Sequence, residues 1–251
     1  MKKNEVIQVK DLDFNIETSK ILSQVSLSVS KNEFVGLIGP NGSGKSTILK
    51  NIYRQYTPTA GAIYLNGKNV FHMKSKEIAQ QMAVVAQENQ PDFDFSVQEM
   101  VMMGRYSRKK MFEQDSEADQ EIVEKALSMV GMQGTEERSF LSLSGGEKQR
   151  IYLAMAFAQE SELIILDEPT NHLDMEAITA LNNGLIKFPG VLLFSTRDHQ
   201  IVQTTANRII EFLPDGSIID KVGTYDEYLA ADKNAGTRMV YVTNEDEEND
   251  D

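Results

Sequence analysis

The sequence predicts an α/β fold with an antiparallel β edge at its start and a helical lobe inserted into its core. Three observations carry this. Apolar alternation in Val6-Ile7-Val9, Leu12-Phe14-Ile16 and Val25-Leu27-Val29 reads as antiparallel strands. Short apolar runs, Phe34–Ile38 and Leu163–Leu166, each deliver polar residues at their carboxyl ends, where ligands collect in α/β sheets. From about Pro91 to Gly134 the pattern turns helical, with Val97, Met100, Val101 and Gly104 on one face and Ile122, Val123, Ala126, Leu127 and Val130 on another.

Gly39-Pro-Asn41-Gly42-Ser43-Gly44-Lys45-Ser46-Thr47 follows the first of those runs and fits G-x-x-x-x-G-K-[ST] at every fixed position. Lys45 to Arg54 reads as the helix behind it. Glycines let the backbone curl so that several N–H groups face one anion, and the helix N-terminus adds its positive dipole end. In this motif Lys45 reaches the β/γ-phosphates and the Ser46 hydroxyl holds Mg²⁺. Ala62-Ile-Tyr-Leu65 with Asn66-Gly67 adds a strand and a tight turn.

A second glycine motif, Leu143-Ser144-Gly145-Gly146-Glu147, opens a helix running through Phe157. Ser144 caps it, and the two glycines expose backbone N–H groups as a second anion site. Leu163–Leu166 then ends in Asp167-Glu168-Pro-Thr170, two carboxylates placed to serve Mg²⁺ and water. Further strands are expected at Val191–Ser195 and Arg208–Leu213, the latter closed by the turn Pro214-Asp-Gly216. Met100, Met102 and Met103 read as core packing, with an adaptable partner surface as the alternative. Arg105, Arg108, Lys109 and Lys110 form the main basic cluster, read as a solvated loop or as a contact with anionic lipid or a permease.

Composition sets bounds. The 251 residues are 41% apolar, and no run approaches the ~20 apolar residues of a spanning helix. No signal peptide follows Met1-Lys2-Lys3, and the absence of cysteine removes disulfides and thiolate metal sites, which fits a cytoplasmic chain. A net charge of −13 argues against nucleic acid as a partner. Residues 244–251 are read as a disordered, solvated acidic tail, with a docking tail as the alternative.

The phosphate loop, the LSGG motif at Leu143–Gly146 and Leu166-Asp-Glu-Pro-Thr170 together resemble the nucleotide-binding subunit of ATP-binding-cassette (ABC) proteins, over essentially the whole chain to about residue 230. The resemblance implies a P-loop NTPase (RecA-like) core with an antiparallel β subdomain and an inserted α-helical subdomain. It implies one cassette over residues 1–240: residues 1–88 and 159–240 form the core and β subdomain, residues 89–158 form the helical subdomain, and residues 241–251 are the tail. It further implies a Mg²⁺-dependent ATPase acting as a homodimer, each ATP held between one copy's loop (Gly39, Asn41, Gly42, Ser43, Gly44, Lys45, Ser46, Thr47) and the other's Ser144, Gly145 and Gly146. Glu168 matches the general base and Asp167 the residue behind Mg²⁺. Gln87 matches the glutamine that touches Mg²⁺ and water and senses the transmembrane partner. Asp174, in Asn171-His172-Leu173-Asp174, matches the loop that crosses the dimer interface. The implied location is the inner face of the cell membrane, reached only through permease subunits.

Two positions depart from the family pattern. Ile16 stands where an aromatic ring stacks on adenine, with Phe14 a nearby substitute. Arg197, in Thr196-Arg197-Asp198, stands where the switch histidine contacts the γ-phosphate. Arginine donates to phosphate but accepts no hydrogen bond, so slow hydrolysis is expected, with His199 two residues on. Up to Asp174 the chain resembles iron–siderophore, haem and cobalamin importer ATPases, through Phe95–Val101, Gly104-Arg-Tyr106 and Ala154–Glu160. From Met175 to about residue 230 it resembles F-type, translation-associated ABC proteins, through Asp198-His-Gln200 and Gly223–Leu229, which points to a mosaic. Three functions stay open: an importer ATPase, a hydrolysis-impaired ATP-gated dimerisation module, and a single-cassette F-type factor.

Overall fold

The computed structural model describes residues 4–86, 93–110, 112–170, 173 and 175–231. In chain order these form β1 (Glu5–Ile16), β2 (Ser19–Ser30), β3 (Phe34–Ile38), α1 (Lys45–Ile52), β4 (Ala60–Leu65), β5 (Lys68–Asn69), α2 (Ser75–Ala79), β6 (Met82–Val85), α3 (Val97–Met102), α4 (Glu117–Met129), α5 (Gly145–Ala158), β7 (Leu163–Asp167), α6 (Met175–Ile186), β8 (Val191–Ser195), α7 (His199–Thr205), β9 (Arg208–Phe212), β10 (Ile218–Val222) and α8 (Tyr225–Ala231). The mixed α/β class is the one the sequence predicts. The chain divides into two compact units, residues 1–72 with 193–251, and residues 73–192.

In the first unit, β2, β1, β4 and β5 form an antiparallel sheet in that order. Val9 pairs with Leu27 on one side and Ile63 on the other. Its buried face carries Ile7, Val9, Leu12, Val25, Leu27, Val29, Ile63 and Leu65, the alternation read from the sequence. Asn66 and Gly67 both have positive φ, 46° and 82°, as a two-residue turn between twisted antiparallel strands requires. The strand that feeds the phosphate loop, β3, lies parallel to β9, which pairs antiparallel with β10. Both β3 and β9 are buried almost throughout, so side chains on either face meet core and the loop after β3 starts from a fixed base. At the other end of β9, the Arg208 guanidinium holds Asp220 through two hydrogen bonds of 2.8 and 2.6 Å and Glu33 through one of 2.7 Å.

In the second unit, β6 and β7 run parallel, Met82 opposite Leu163 and Val85 opposite Leu166. Helices α3, α4 and α5 each start on a reciprocal capping box: Ser96 with Glu99, Ser116 with Asp119, Ser144 with Glu147. Each box satisfies two backbone donors that a helix start otherwise leaves open. Val97, Met100, Val101, Met102, Val123, Leu127, Phe140, Ile151 and Phe157 form the core between them. Met100 and Met102 are buried there and Met103 is half-buried, so the methionines pack the core.

The basic cluster is a solvated loop only in part, since Arg108 and Lys110 are exposed but Arg105 and Lys109 are not. Arg105 and Lys109 are each only 7% exposed. The Arg105 Nε donates to Asp119 at 2.9 Å, and the Lys109 ammonium lies 3.2 Å from the other Asp119 oxygen and pairs with Asp115. The exposed Arg108 turns its donors onto backbone carbonyls. Asp119 comes from the first turn of α4 and Asp115 from just before it, a separation that kept the pairing out of view. Among the described residues, no helix is long and apolar enough to cross a membrane.

Candidate functional site

The phosphate loop lies wholly in the first unit. Gly39, Gly42 and Gly44 have φ of 136°, 75° and 97°, a region that side-chain-bearing residues adopt at a cost. A Cβ on Gly39 would lie 2.3 Å from the Phe212 carbonyl oxygen, and one on Gly44 2.7 Å from Leu22 Cδ2, so these two glycines seat the loop against its own unit. A Cβ on Gly42 would meet nothing within 4 Å among the described residues. Gly42 therefore offers bare backbone to the outside. The buried Lys45 reaches back along the loop, its Nζ donating to the Gly39 and Pro40 carbonyls at 2.8 and 2.9 Å. Helix α1 begins at Gly44 with no side-chain cap, and the Ser43 hydroxyl is buried with no hydrogen-bond partner among the described residues. An open glycine, an uncapped helix start, a buried ammonium and an unpartnered hydroxyl in one turn fit a polyphosphate.

Two other predicted positions lie in this unit. Ile16, at the end of β1, is half exposed. The nearby Phe14 ring stacks on Tyr56, centroids 5.1 Å apart and planes 7° from parallel, so its face on that side is occupied by the fold. The Asp198 carboxylate caps α7 by accepting from the Gln200 N–H at 2.8 Å, and the Asp198 N–H donates to the Thr196 hydroxyl at 3.0 Å. That turn projects Arg197 outward, where it is exposed and forms no ion pair among the described residues. His199, two residues on, is engaged with another side chain. Its Nδ1 lies 2.6 Å from the Tyr225 hydroxyl, and Tyr225 in turn stacks on Tyr228.

The second glycine motif and the carboxylates lie in the second unit. The Ser144 hydroxyl accepts from the Glu147 N–H at 3.3 Å, and Glu147 accepts from the Ser144 N–H at 2.9 Å and from Arg138 at 2.8 Å. These donors hold the Glu147 carboxyl below its ordinary range. The two glycines differ in kind. Among the described residues a Cβ on Gly145 would meet nothing within 4 Å, whereas one on Gly146 would lie 2.6 Å from Ala177 Cβ on α6. Gly145 is open outward; Gly146 lets α5 and α6 approach.

Strand β7 is buried from end to end and delivers Asp167, 6% exposed, and then Glu168, 9% exposed. Glu168 has φ of 49°, left-handed backbone that costs a non-glycine residue about 1 kcal/mol or more and that clusters at functional sites. Ser46 and Asp167 are hard oxygen donors of the kind Mg²⁺ takes. Gln87, Asp174, Asn171 and His172 lie outside the described residues, as does the acidic tail.

The glycine-rich strand–loop–helix, the capped LSGG helix and the buried strand ending in Asp167-Glu168 define an ATP-binding cassette. The ABC transporter family model matches residues 22–171, and the chain belongs to that family. It is 43% identical over 155 residues to the iron(3+)-hydroxamate import ATP-binding protein FhuC of Bacillus subtilis, a match spanning 62% of this chain and 58% of that one. It is 39% identical over 171 residues to the petrobactin import ATP-binding protein FpuD of Bacillus anthracis, covering 68% and 63%. The matched stretch spans between 36% and 63% of the length of the curated relatives. A solved nucleotide-free ATP-binding cassette from an ABC transporter shares the fold at a TM-score of 0.80 and 20% identity, over 93% of this chain and 98% of that one.

Proposed function

We propose that the chain is the ATP-binding and hydrolysing subunit of an ABC importer of the iron–siderophore, haem or cobalamin type. It works as a homodimer with two ATP molecules between the copies, docked to permease subunits at the inner face of the membrane. The single observation that carries the ATP reading is the phosphate loop, with Gly42 open in front and Lys45 buried behind it. The importer reading is supported by relatives whose names describe iron(3+)-hydroxamate and petrobactin import.

In this reading the backbone N–H groups of the loop, with Asn41, Ser43 and Thr47, hold the phosphates, and Lys45 exchanges its loop carbonyls for phosphate oxygens. Ile16 gives the base an apolar contact. From the other copy, Ser144, Gly145 and Gly146 close over the γ-phosphate. Ser46, Gln87 and Asp167 would hold Mg²⁺, which when bound neutralises charge on the phosphates. Glu168 takes a proton from the attacking water, and the backbone donors stabilise the charge that develops on the leaving phosphates. Asp174 crosses between copies.

A second reading rests on Arg197. An exposed guanidinium at the switch position binds phosphate but cannot accept a hydrogen bond from water or share a proton near neutral pH. ATP then closes the dimer and hydrolysis is slow, which makes the chain an ATP-gated dimerisation module. Mg²⁺-ATP turnover by the parent, Arg197→His, Glu168→Gln and Lys45→Ala separates the two. A slow parent accelerated by Arg197→His, with Glu168→Gln and Lys45→Ala inactive, supports a hydrolytic mechanism throttled at the switch. A brisk parent unmoved by Arg197→His refutes the throttling, and a parent that does not bind ATP refutes both readings.

A further inference from the structure

The far end of helix α5 is held by side chains. Three successive carbonyls there, of the kind a helix end leaves without an intrahelical donor, accept from two arginines of a single turn. The Arg105 Nη1 donates to the Ala158 carbonyl at 2.7 Å. The Arg108 Nε donates to the Gln159 carbonyl at 2.8 Å, and its other nitrogen donates to the Glu160 carbonyl. Arg105 Nη1 also takes the Glu160 carboxylate at 2.8 Å, and its Nε takes Asp119 in the first turn of α4. Glu160 closes the helix in left-handed backbone at φ 51°. Two guanidinium groups at this end also complement the negative pole of the helix dipole.

The turn that supplies them is built to sit this close. A Cβ on Gly104 would lie 2.3 Å from the Met155 carbonyl oxygen and 3.2 Å from the Gln159 nitrogen, so only glycine lets this backbone pass against α5. The Gln159 side chain completes the attachment by donating to the Met82 carbonyl, at the start of β6, at 2.9 Å and to that of Ala79, at the end of α2. Apolar packing along the flanks of α5 is non-directional. The hydrogen bonds at its end have preferred directions and fix its angle.

We propose that Arg105 and Arg108 are positioning residues for the opposite end of α5, where Ser144 and Gly145 meet nucleotide. The inference rests on the ATP-sandwich reading of that end. Helix α5 has 14 residues and is about 21 Å long, so a tilt of about 5° at the clamped end moves Ser144 by about 2 Å. A misplacement of about 1 Å at a reacting centre can cost about 100-fold. The phosphate loop, which holds most of the nucleotide contacts, belongs to the other unit, so binding of ATP to a single copy is expected to change little when the clamp is cut.

The test uses the full chain carrying Glu168→Gln, so that ATP is bound without turnover. ATP-driven dimerisation is followed by light scattering, and ATP affinity by equilibrium dialysis at protein concentrations too low for dimers. Arg108→Met removes donors from an exposed side chain, and Arg105→Lys keeps the pair with Asp119 but loses the fork. Each is expected to weaken the ATP-bound dimer at least tenfold while ATP affinity stays within twofold. Asp115→Asn, which breaks the neighbouring pair with Lys109 without touching α5, is expected to dimerise like its parent. Unchanged dimers in both arginine variants overturn the proposal. So does equal loss in Asp115→Asn, which would assign the effect to stability of the cluster. If the Glu168→Gln parent binds ATP but never dimerises, the sandwich reading itself fails and takes this inference with it.

Discussion

Replacing Gly145 and Gly146 one at a time by alanine separates two roles that the sequence writes identically. At Gly146 the new methyl would sit 2.6 Å from Ala177 Cβ, more than 1 Å inside ordinary carbon contact, so α6 must withdraw or α5 must shift. Overpacking of this kind costs about 1–3 kcal/mol, offset by up to about 1 kcal/mol from the better helix propensity of alanine. With an offset of about 0.5 kcal/mol the net is about 0.5–2.5 kcal/mol of lost stability, which lowers the thermal midpoint by roughly 1–10 °C in a chain of this size. At Gly145 the methyl meets nothing within 4 Å among the described residues, so only the propensity gain remains, about 0.5 kcal/mol or 1–2 °C of added stability. Yet that methyl stands on the face proposed to close over the γ-phosphate. Gly145→Ala is therefore expected to melt slightly higher than the parent and to lose at least tenfold in ATP-driven dimerisation. Scanning calorimetry and light scattering on the two variants check both halves. The reasoning is refuted if the two midpoints move in the same direction, or if Gly145→Ala dimerises like the parent.

Gly39→Ala places a methyl 2.3 Å from the Phe212 carbonyl at a φ of 136°, and is expected to abolish ATP binding measured by equilibrium dialysis; retention of affinity within threefold would show that the loop is not held as described. Burial raises the Asp119 carboxyl, but hydrogen bonds from Arg105, Ser116 and Lys109 outweigh it and hold the group well below the ordinary carboxylate range. Its stabilisation is thus present above the unfolded value of about 4 and lost as pH falls below it. Denaturant midpoints measured between about pH 5 and 2 should fall less steeply for Asp119→Asn than for the parent, and equal slopes would contradict the assignment. Tyr228→Phe removes a 2.6 Å hydrogen bond to Glu211, which is 1% exposed, and should cost about 1–3 kcal/mol by urea unfolding. A change under about 0.3 kcal/mol would mean that Glu211 is satisfied without it.

What the sequence by itself determined is the chemistry that sits in contiguous residues. The phosphate loop, the capped LSGG helix and the strand ending in Asp167-Glu168 are local because their function is local. A few neighbouring backbone N–H groups must face one anion, and a strand must deliver its carboxylates at its own end. The Asn66-Gly67 turn and the alternation of β1 and β2 were legible for the same reason, since a turn type and a period of two are properties of adjacent residues. Tertiary structure alone decided which side chains were already spoken for. Phe14, a candidate for the base, stacks on Tyr56, and His199, a candidate for the switch, faces Tyr225. Arg105 and Arg108 read as free cations only until Asp119 and the carbonyls of Ala158, Gln159 and Glu160 arrive from other elements of the fold. The two glycines of the signature are equivalent in sequence, and only the approach of α6 makes one a packing residue and leaves the other open. Short-range order follows from backbone sterics and periodicity. Burial, ion pairing and free space depend on residues that are not neighbours in the chain, as far apart as Arg105 and Ala158, and exist only once the chain has folded.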